Sequence, residues 1–201
     1  MASDWIFFAL CGLGVAVLVW GLILFAAVRY RRRAGDALPP QFRKHNALEI
    51  AWTVVPLVAV LGLFFHAYRA EVGVDALAPA PEVTVAVEGY RWGWRFSYRG
   101  GPSISGDATA PPEMVLPAGA TTRITLTSRD VNHAFWVPDF LFKRDAVAGQ
   151  ITAFDLRPEK TGTFPGRCAE FCGFEHALMG FTVRVVPRAA YAAWLRGAHQ
   201  S

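Results

Sequence analysis

The sequence predicts a two-part fold: an N-terminal transmembrane α-helical hairpin followed by an all-β sandwich or barrel. Three observations predict it. Two long uncharged apolar runs flank a short basic connection. After about residue 81 the apolar residues recur with period two instead. Turn-forming residues then divide this second part into short segments at the spacing of a β-sandwich.

The first run, Trp5 to Val28, contains no charged residue. As a helix it spans roughly 36 Å, enough to cross a bilayer core with some tilt. Its length exceeds a signal-peptide core, and no small-residue cleavage site follows it. The connection carries Arg29, Arg31, Arg32, Arg33, Arg43 and Lys44 against a single acidic residue, Asp36, around Pro39 and Pro40. Basic loops stay on the cytoplasmic side. The second run, Ile50 to Tyr68, is uncharged and interrupted only by Pro56 and His66. Pro56 lies in its first two turns, where a missing backbone donor is better tolerated. The hairpin is therefore assigned to residues 1–70, with helices at about 5–28 and 50–68 around a cytoplasmic loop at 29–49. Both termini and everything after residue 70 fall outside.

A linker at 71–81, rich in Ala and Pro from Ala76 to Pro81, leads to a β domain at 82–187. Val83, Val85 and Val87 alternate, and Tyr90, Trp92, Trp94, Phe96 and Tyr98 read as one aromatic face of a strand. Thr121 to Thr127 and Thr182 to Val186 are rich in β-branched residues, which suit strands. Arg99-Gly-Gly-Pro, Pro111-Pro112, Pro117-Ala-Gly, Arg157-Pro and Lys160-Thr-Gly supply the turns. Residues 188–201 read as a short closing helix and tail.

Composition fits this division. Hydrophobic residues make up 53% of the 201, which points to membrane segments. The net charge of +4 could suggest nucleic acid, but it is confined to the N-terminal third. Residues 71–201 carry thirteen basic and thirteen acidic side chains, so no basic face supports nucleic-acid binding. Few Lys and many Arg and Ala fit a bacterial chain, and thus the cytoplasmic (inner) membrane.

Near the C-terminus lies Cys168-Ala-Glu-Phe-Cys172-Gly-Phe-Glu-His176-Ala-Leu-Met179. Thiolate with thioether is a soft ligand set, and imidazole suits copper as well as zinc. Structural zinc sites make no use of Met. A one-copper blue site takes one Cys, two His and an axial Met, so one sulfur here is left over. Two thiolates can bridge two metal ions with one His on each, which requires a further His. His133, in Ser128-Arg-Asp-Val-Asn-His133, is the obvious supplier. The competing reading is a local Cys168–Cys172 disulfide in an oxidising compartment, which leaves His176 and Met179 without a role.

The Cys-x-Glu-x-Cys-x3-His-x2-Met spacing with His133 upstream resembles the binuclear copper site CuA. The whole chain resembles subunit II of the haem-copper cytochrome c oxidases. The resemblance implies a cupredoxin-like Greek-key sandwich after the hairpin. It implies that Cys168 and Cys172 bridge two coppers, that His133 and His176 are terminal ligands, that Met179 is a weak ligand and that Glu170 ligates through its backbone carbonyl. The Glu170 carboxylate would reach a magnesium or manganese ion shared with subunit I. Gly89-Tyr-Arg-Trp92-Gly-Trp94 is similar to the family's aromatic stretch, with Trp92 receiving electrons from cytochrome c, although Gly93 stands where the family often has an aromatic. Glu49, before Trp52, matches a carboxylate at the mouth of a proton pathway; alternatively it caps its helix. Asp107, Glu113, Asp130 and Asp139 are candidates for acidic docking residues.

The implied function is that of the electron-accepting subunit of a respiratory terminal oxidase. It takes electrons from cytochrome c and passes them to haem in subunit I, where dioxygen is reduced to water, with subunit III as a further partner. No catalytic residue is expected in this chain. A quinol oxidase subunit would lack the copper ligands. A nitric oxide reductase subunit with the same copper site, and a membrane-anchored copper carrier or assembly protein, remain as alternatives.

Overall fold

The computed structural model describes residues 2–32, 35 and 43–197. Arg33, Asp36, Pro39 and Pro40 of the basic connection, and the tail at 198–201, lie outside the described residues. The chain divides into two compact units, Met1–Gly73 and Val74–Ser201.

The N-terminal unit is built on α1 (Ala2–Arg29) and α2 (Asn46–Asp75). Both are long and apolar enough to cross a membrane. Large side chains such as Trp5, Trp20, Phe64 and Phe65 stand exposed around them. A helix apolar on all faces and left uncovered is suited to lipid, where its backbone is satisfied internally. Each helix runs further than the uncharged run that predicts it. Arg69 and Glu71 do not end α2, because a charged side chain at a helix end costs no backbone hydrogen bond. Residues 71–75 of the expected linker are thus helical, and the break comes just before the Ala-Pro segment.

At the start of α2 the His45 N–H donates to Glu49 Oε1 at 3.2 Å, while the Leu48 N–H donates to His45 Nδ1 at 3.2 Å. This reciprocal pairing satisfies backbone donors that the first turn leaves free.

The second unit is a sandwich of two five-stranded sheets. Its strands are β1 (Val83–Tyr90), β2 (Gly93–Tyr98), β3 (Ser103–Asp107), β4 (Glu113–Pro117) and β5 (Thr122–Ser128). Then come β6 (His133–Val137), β7 (Phe142–Ala146), β8 (Thr152–Leu156), β9 (Gly162–Cys168) and β10 (Gly180–Val186). One sheet has the order β3-β2-β1-β5-β8, the other β4-β10-β9-β6-β7. β1 pairs β5 and β10 pairs β4 in parallel, and all other pairs are antiparallel. The chain therefore crosses between sheets repeatedly, as a Greek key does.

Alternation drives the packing: β5 and β10 bury every second residue. Val85, Val87, Trp94, Phe96 and Phe154 from one sheet meet Phe135, Phe181, Val183 and Val185 from the other. Phe135 stacks on Phe181 with ring centroids 4.7 Å apart, and Trp94 meets Phe181 edge-on at 5.4 Å. α3 (Arg188–Gly197) packs beside β4, its Trp194 lying 4.9 Å from the Tyr98 ring.

The aromatic stretch is two strands, not one. Tyr90 pairs with Gly93, so Arg91 and Trp92 form a tight hairpin turn. Trp94, Phe96 and Tyr98 face the core, whereas Tyr90 and Trp92 are only partly buried. Gly93 is needed here: a Cβ would come within 2.1 Å of the Gly106 carbonyl oxygen on β3.

Candidate metal centre

The two ligand-bearing segments meet because β6 lies beside β9, with Phe135 opposite Cys168. His133 opens β6 and Cys168 closes β9. The loop 169–179 returns to β10, and the Cys168 N–H donates to the Met179 carbonyl at 2.9 Å, pinning its ends together. A 3-10 turn, His176–Leu178, brings His176 and Met179 back over Cys172.

The donors converge. His133, Cys168 and Cys172 are buried, with their ligand atoms all within 4.8 Å of one another. Cys168 Sγ lies 3.8 Å from His133 Nδ1 and 3.2 Å from the Glu170 carbonyl oxygen. Cys172 Sγ lies 3.6 Å from both His176 Nδ1 and Met179 Sδ. The two sulfurs are 3.9 Å apart and unbonded, far from the ~2.05 Å of a disulfide. Each thiol thus has one imidazole nitrogen of its own, with the thioether on one side and a carbonyl on the other. Two thiols and two imidazoles arranged in this way fit soft or borderline metal ions.

Electrostatics set the thiols apart. Burial pushes the Cys168 thiol up, but hydrogen bonds from His133 and from backbone groups outweigh it and bring it below the usual thiol range. Cys172 moves the other way: burial raises it, and the neighbouring Cys168 charge raises it further. A bound cation would favour the ionised form of both thiols.

His133 is oriented from behind. Its Nε2 lies 2.9 Å from Asp130 Oδ1. Asp130 also accepts from the Arg91 backbone N–H at 2.8 Å and from its own neighbour Val131 N–H at 2.7 Å. Burial would raise this carboxyl, but those donors bring it down to about 2. A carboxylate behind a ligating imidazole fixes which nitrogen faces the metal.

His133, Cys168, Glu170 (through its carbonyl), Cys172, His176 and Met179 are thus brought to one place. Trp92 stands beside them, donating its Nε1–H to the Cys172 carbonyl at 3.2 Å. The Glu170 side chain is exposed. Glu49 belongs to the N-terminal unit, where its carboxylate caps α2. Of the acidic docking candidates, Asp107 caps its own turn through Thr109 and Ala110, and Glu113 pairs with Arg184 at 2.8 Å. Asp130 is committed to His133 and Arg91, and only Asp139 stands exposed without such a role. The role of Asp130 had one sequence signal, a carboxylate three residues before a candidate ligand.

A family model described as the periplasmic domain of cytochrome c oxidase subunit II matches residues 107–186. The probable cytochrome c oxidase subunit 2 of Streptomyces avermitilis is 37% identical over 224 residues, covering 92% of this chain and 70% of that protein. The cytochrome c oxidase subunit 2 of Cereibacter sphaeroides is 33% identical, covering 92% and 71%. Among solved structures, the periplasmic domain of subunit II of cytochrome oxidase from Bradyrhizobium japonicum superposes with a TM-score of 0.56 at 31% identity. It covers 62% of this chain and 98% of that domain.

Proposed function

Because the chain belongs to the cytochrome c oxidase subunit II family, we propose that it is the electron-accepting subunit of a respiratory terminal oxidase. The observation that carries this reading is the convergence of two thiols, two imidazole Nδ1 atoms, a thioether and a carbonyl in one buried cluster. Cys168 and Cys172 would hold two copper ions between them, with His133 and His176 at either end and Met179 and the Glu170 carbonyl as weaker ligands. Bound there, a copper pair supplies a one-electron centre whose charge is spread over two metals, so little changes on reduction.

The chain's own residues do the rest. Asp130 keeps His133 Nε2 protonated and turns Nδ1 toward Cys168. The buried walls, Trp94, Phe135 and Phe181 among them, exclude water from the sulfurs. Trp92, in contact with the Cys172 backbone, accepts electrons from cytochrome c at the surface. The Glu170 carboxylate is free to meet a magnesium or manganese ion shared with subunit I, whose haem receives the electrons and reduces dioxygen. Glu49 stands at the cytoplasmic end of α2, at the mouth of a proton path into subunit I. Two spans anchor the chain in the bacterial inner membrane, with the sandwich outside and subunits I and III as neighbours.

The test is to purify the full chain with its membrane partners and challenge it with a copper chelator. An oxidase subunit keeps its copper, co-purifies with a haem protein and supports oxygen uptake with reduced cytochrome c. A copper carrier gives up its metal readily and shows no such uptake. Nitric oxide consumption in place of oxygen uptake would move the chain to a reductase.

A further inference from the structure

Strand β1 turns Val85, Val87 and Gly89 toward the core in alternation. The period calls for a third branched side chain at 89. Glycine stands there instead, although the position is inside a strand and its φ is not positive. A glycine in a strand interior gives up packing and chain entropy, and it marks a place where another group comes close.

That group is His133, from the opposite sheet. A Cβ on Gly89 would lie 3.1 Å from His133 Cδ2 and 3.2 Å from its Cβ and Cγ. The fully buried imidazole therefore occupies the slot that a side chain at 89 would fill. The contact falls on the carbon side of the ring. Its nitrogens are left for Cys168, whose Sγ is 3.8 Å from Nδ1, and for Asp130, whose Oδ1 is 2.9 Å from Nε2. The Trp94 ring meets the imidazole edge-on at 6.1 Å.

Gly89 is fixed where it stands. It pairs with Trp94 on β2 and with Ser128 on β5, and its carbonyl accepts from the Arg129 N–H at 3.0 Å. A methyl group added at 89 is thus absorbed by the ring, which must give by a few tenths of an ångström.

We propose that Gly89 is a positioning residue for the copper centre: its missing side chain sets how His133 presents Nδ1 beside Cys168. This inference rests on the two-copper reading above.

The test compares the copper-loaded full chain in detergent with its Gly89→Ala variant. Gly89→Ala should bind copper about tenfold more weakly in chelator competition, as loss of support behind a metal ligand does. Its EPR hyperfine pattern should differ from the parent's. Gly180→Ala adds a methyl next to Met179 at ordinary contact distance, the nearest atom being 3.6 Å away, and should leave both readouts unchanged. Tyr98→Phe weakens the sandwich elsewhere and should leave the hyperfine pattern unchanged. Without the Asp130 carboxylate the ring is free to turn from the methyl. Adding Gly89→Ala to Asp130→Ala should therefore cost less than about threefold in affinity.

An affinity within about twofold of the parent, with an unchanged hyperfine pattern, overturns the proposal. So does an equal change in Gly180→Ala, which would make any methyl near the loop sufficient. The full tenfold loss on the Asp130→Ala background overturns it too, because Gly89 would then act other than through His133. Loss of the near-UV circular dichroism of the sandwich in Gly89→Ala also counts against it, since so small a ring movement leaves the fold intact. Absence of a two-copper signal in the parent chain sinks the two-copper reading itself, which separates that failure from this one.

Discussion

The indole N–H of Trp92 donates to the backbone carbonyl of Cys172 at 3.2 Å. One residue earlier, the Arg91 N–H donates to the carboxylate of Asp130 at 2.8 Å, and Asp130 holds His133. A two-residue hairpin turn thus ties together both ligand-bearing segments, one through each residue. This places an aromatic ring on the backbone of a thiol ligand and gives a surface residue a short route to the buried cluster.

Replacing Trp92 with Phe keeps a ring and removes the bond to Cys172. Reduction by the donor protein should slow about tenfold, equivalent to ~1.4 kcal/mol in the barrier. Stopped-flow reduction measures it, with a small-molecule reductant as control. Equal slowing with both reductants would place the effect at the copper ligands and not at the surface.

Asp130→Ala leaves His133 Nε2 without its carboxylate and frees the imidazole to turn. Copper affinity should fall 10–100-fold, the usual cost of losing a partner behind a metal ligand. Competition with a chelator of known affinity reads this directly. An affinity within twofold of the parent would show that the surrounding core holds the ring unaided.

Tyr98 bridges two strands. Its hydroxyl accepts from the Val115 N–H at 2.7 Å and donates to the Val115 carbonyl at 3.1 Å. Burial raises its pKa, so the hydroxyl stays protonated and keeps both bonds at any physiological pH. Tyr98→Phe strands the Val115 groups on the edge strand β4 and should cost ~1–3 kcal/mol. Denaturant unfolding of the copper-free chain in detergent measures the loss.

Acid should weaken the sandwich through Asp155. Burial raises this carboxyl, but hydrogen bonds from Arg123 and from the Ala78 N–H outweigh it and hold it below the ordinary aspartate value. A depressed folded-state pKa contributes stability that is complete above the unfolded value, ~3.9, and lost as pH falls through the folded one. Asp155→Asn should therefore unfold at lower denaturant than the parent at pH 6, and the gap should close below about pH 4. A gap that widens with acid would contradict the pairing.

Much of the site was legible because five of its six residues are local. Cys168, Glu170, Cys172, His176 and Met179 lie in one loop, where spacing alone constrains them. His133 was reachable by chemistry, since a two-thiol set needs a second imidazole. The two helices were legible from uncharged length, but their ends were not, because helix termination depends on backbone partners and not on charge. The single aromatic strand failed for a related reason. Alternation continues across Arg91 and Trp92, and only the pairing of Tyr90 with Gly93 reveals the turn. The tie from Arg91 to Asp130 spans 39 residues and leaves no pattern in the chain.

The central claim is that Cys168 and Cys172 hold two coppers that share one electron. EPR of the copper-loaded full chain, alongside Cys172→Ser, tests it most directly. The parent should show hyperfine structure from one electron shared over two coppers. Cys172→Ser should lose that pattern while near-UV circular dichroism still reports a folded sandwich. A single-copper spectrum, or a zinc-loaded protein without a copper signal, in the parent chain would contradict the account.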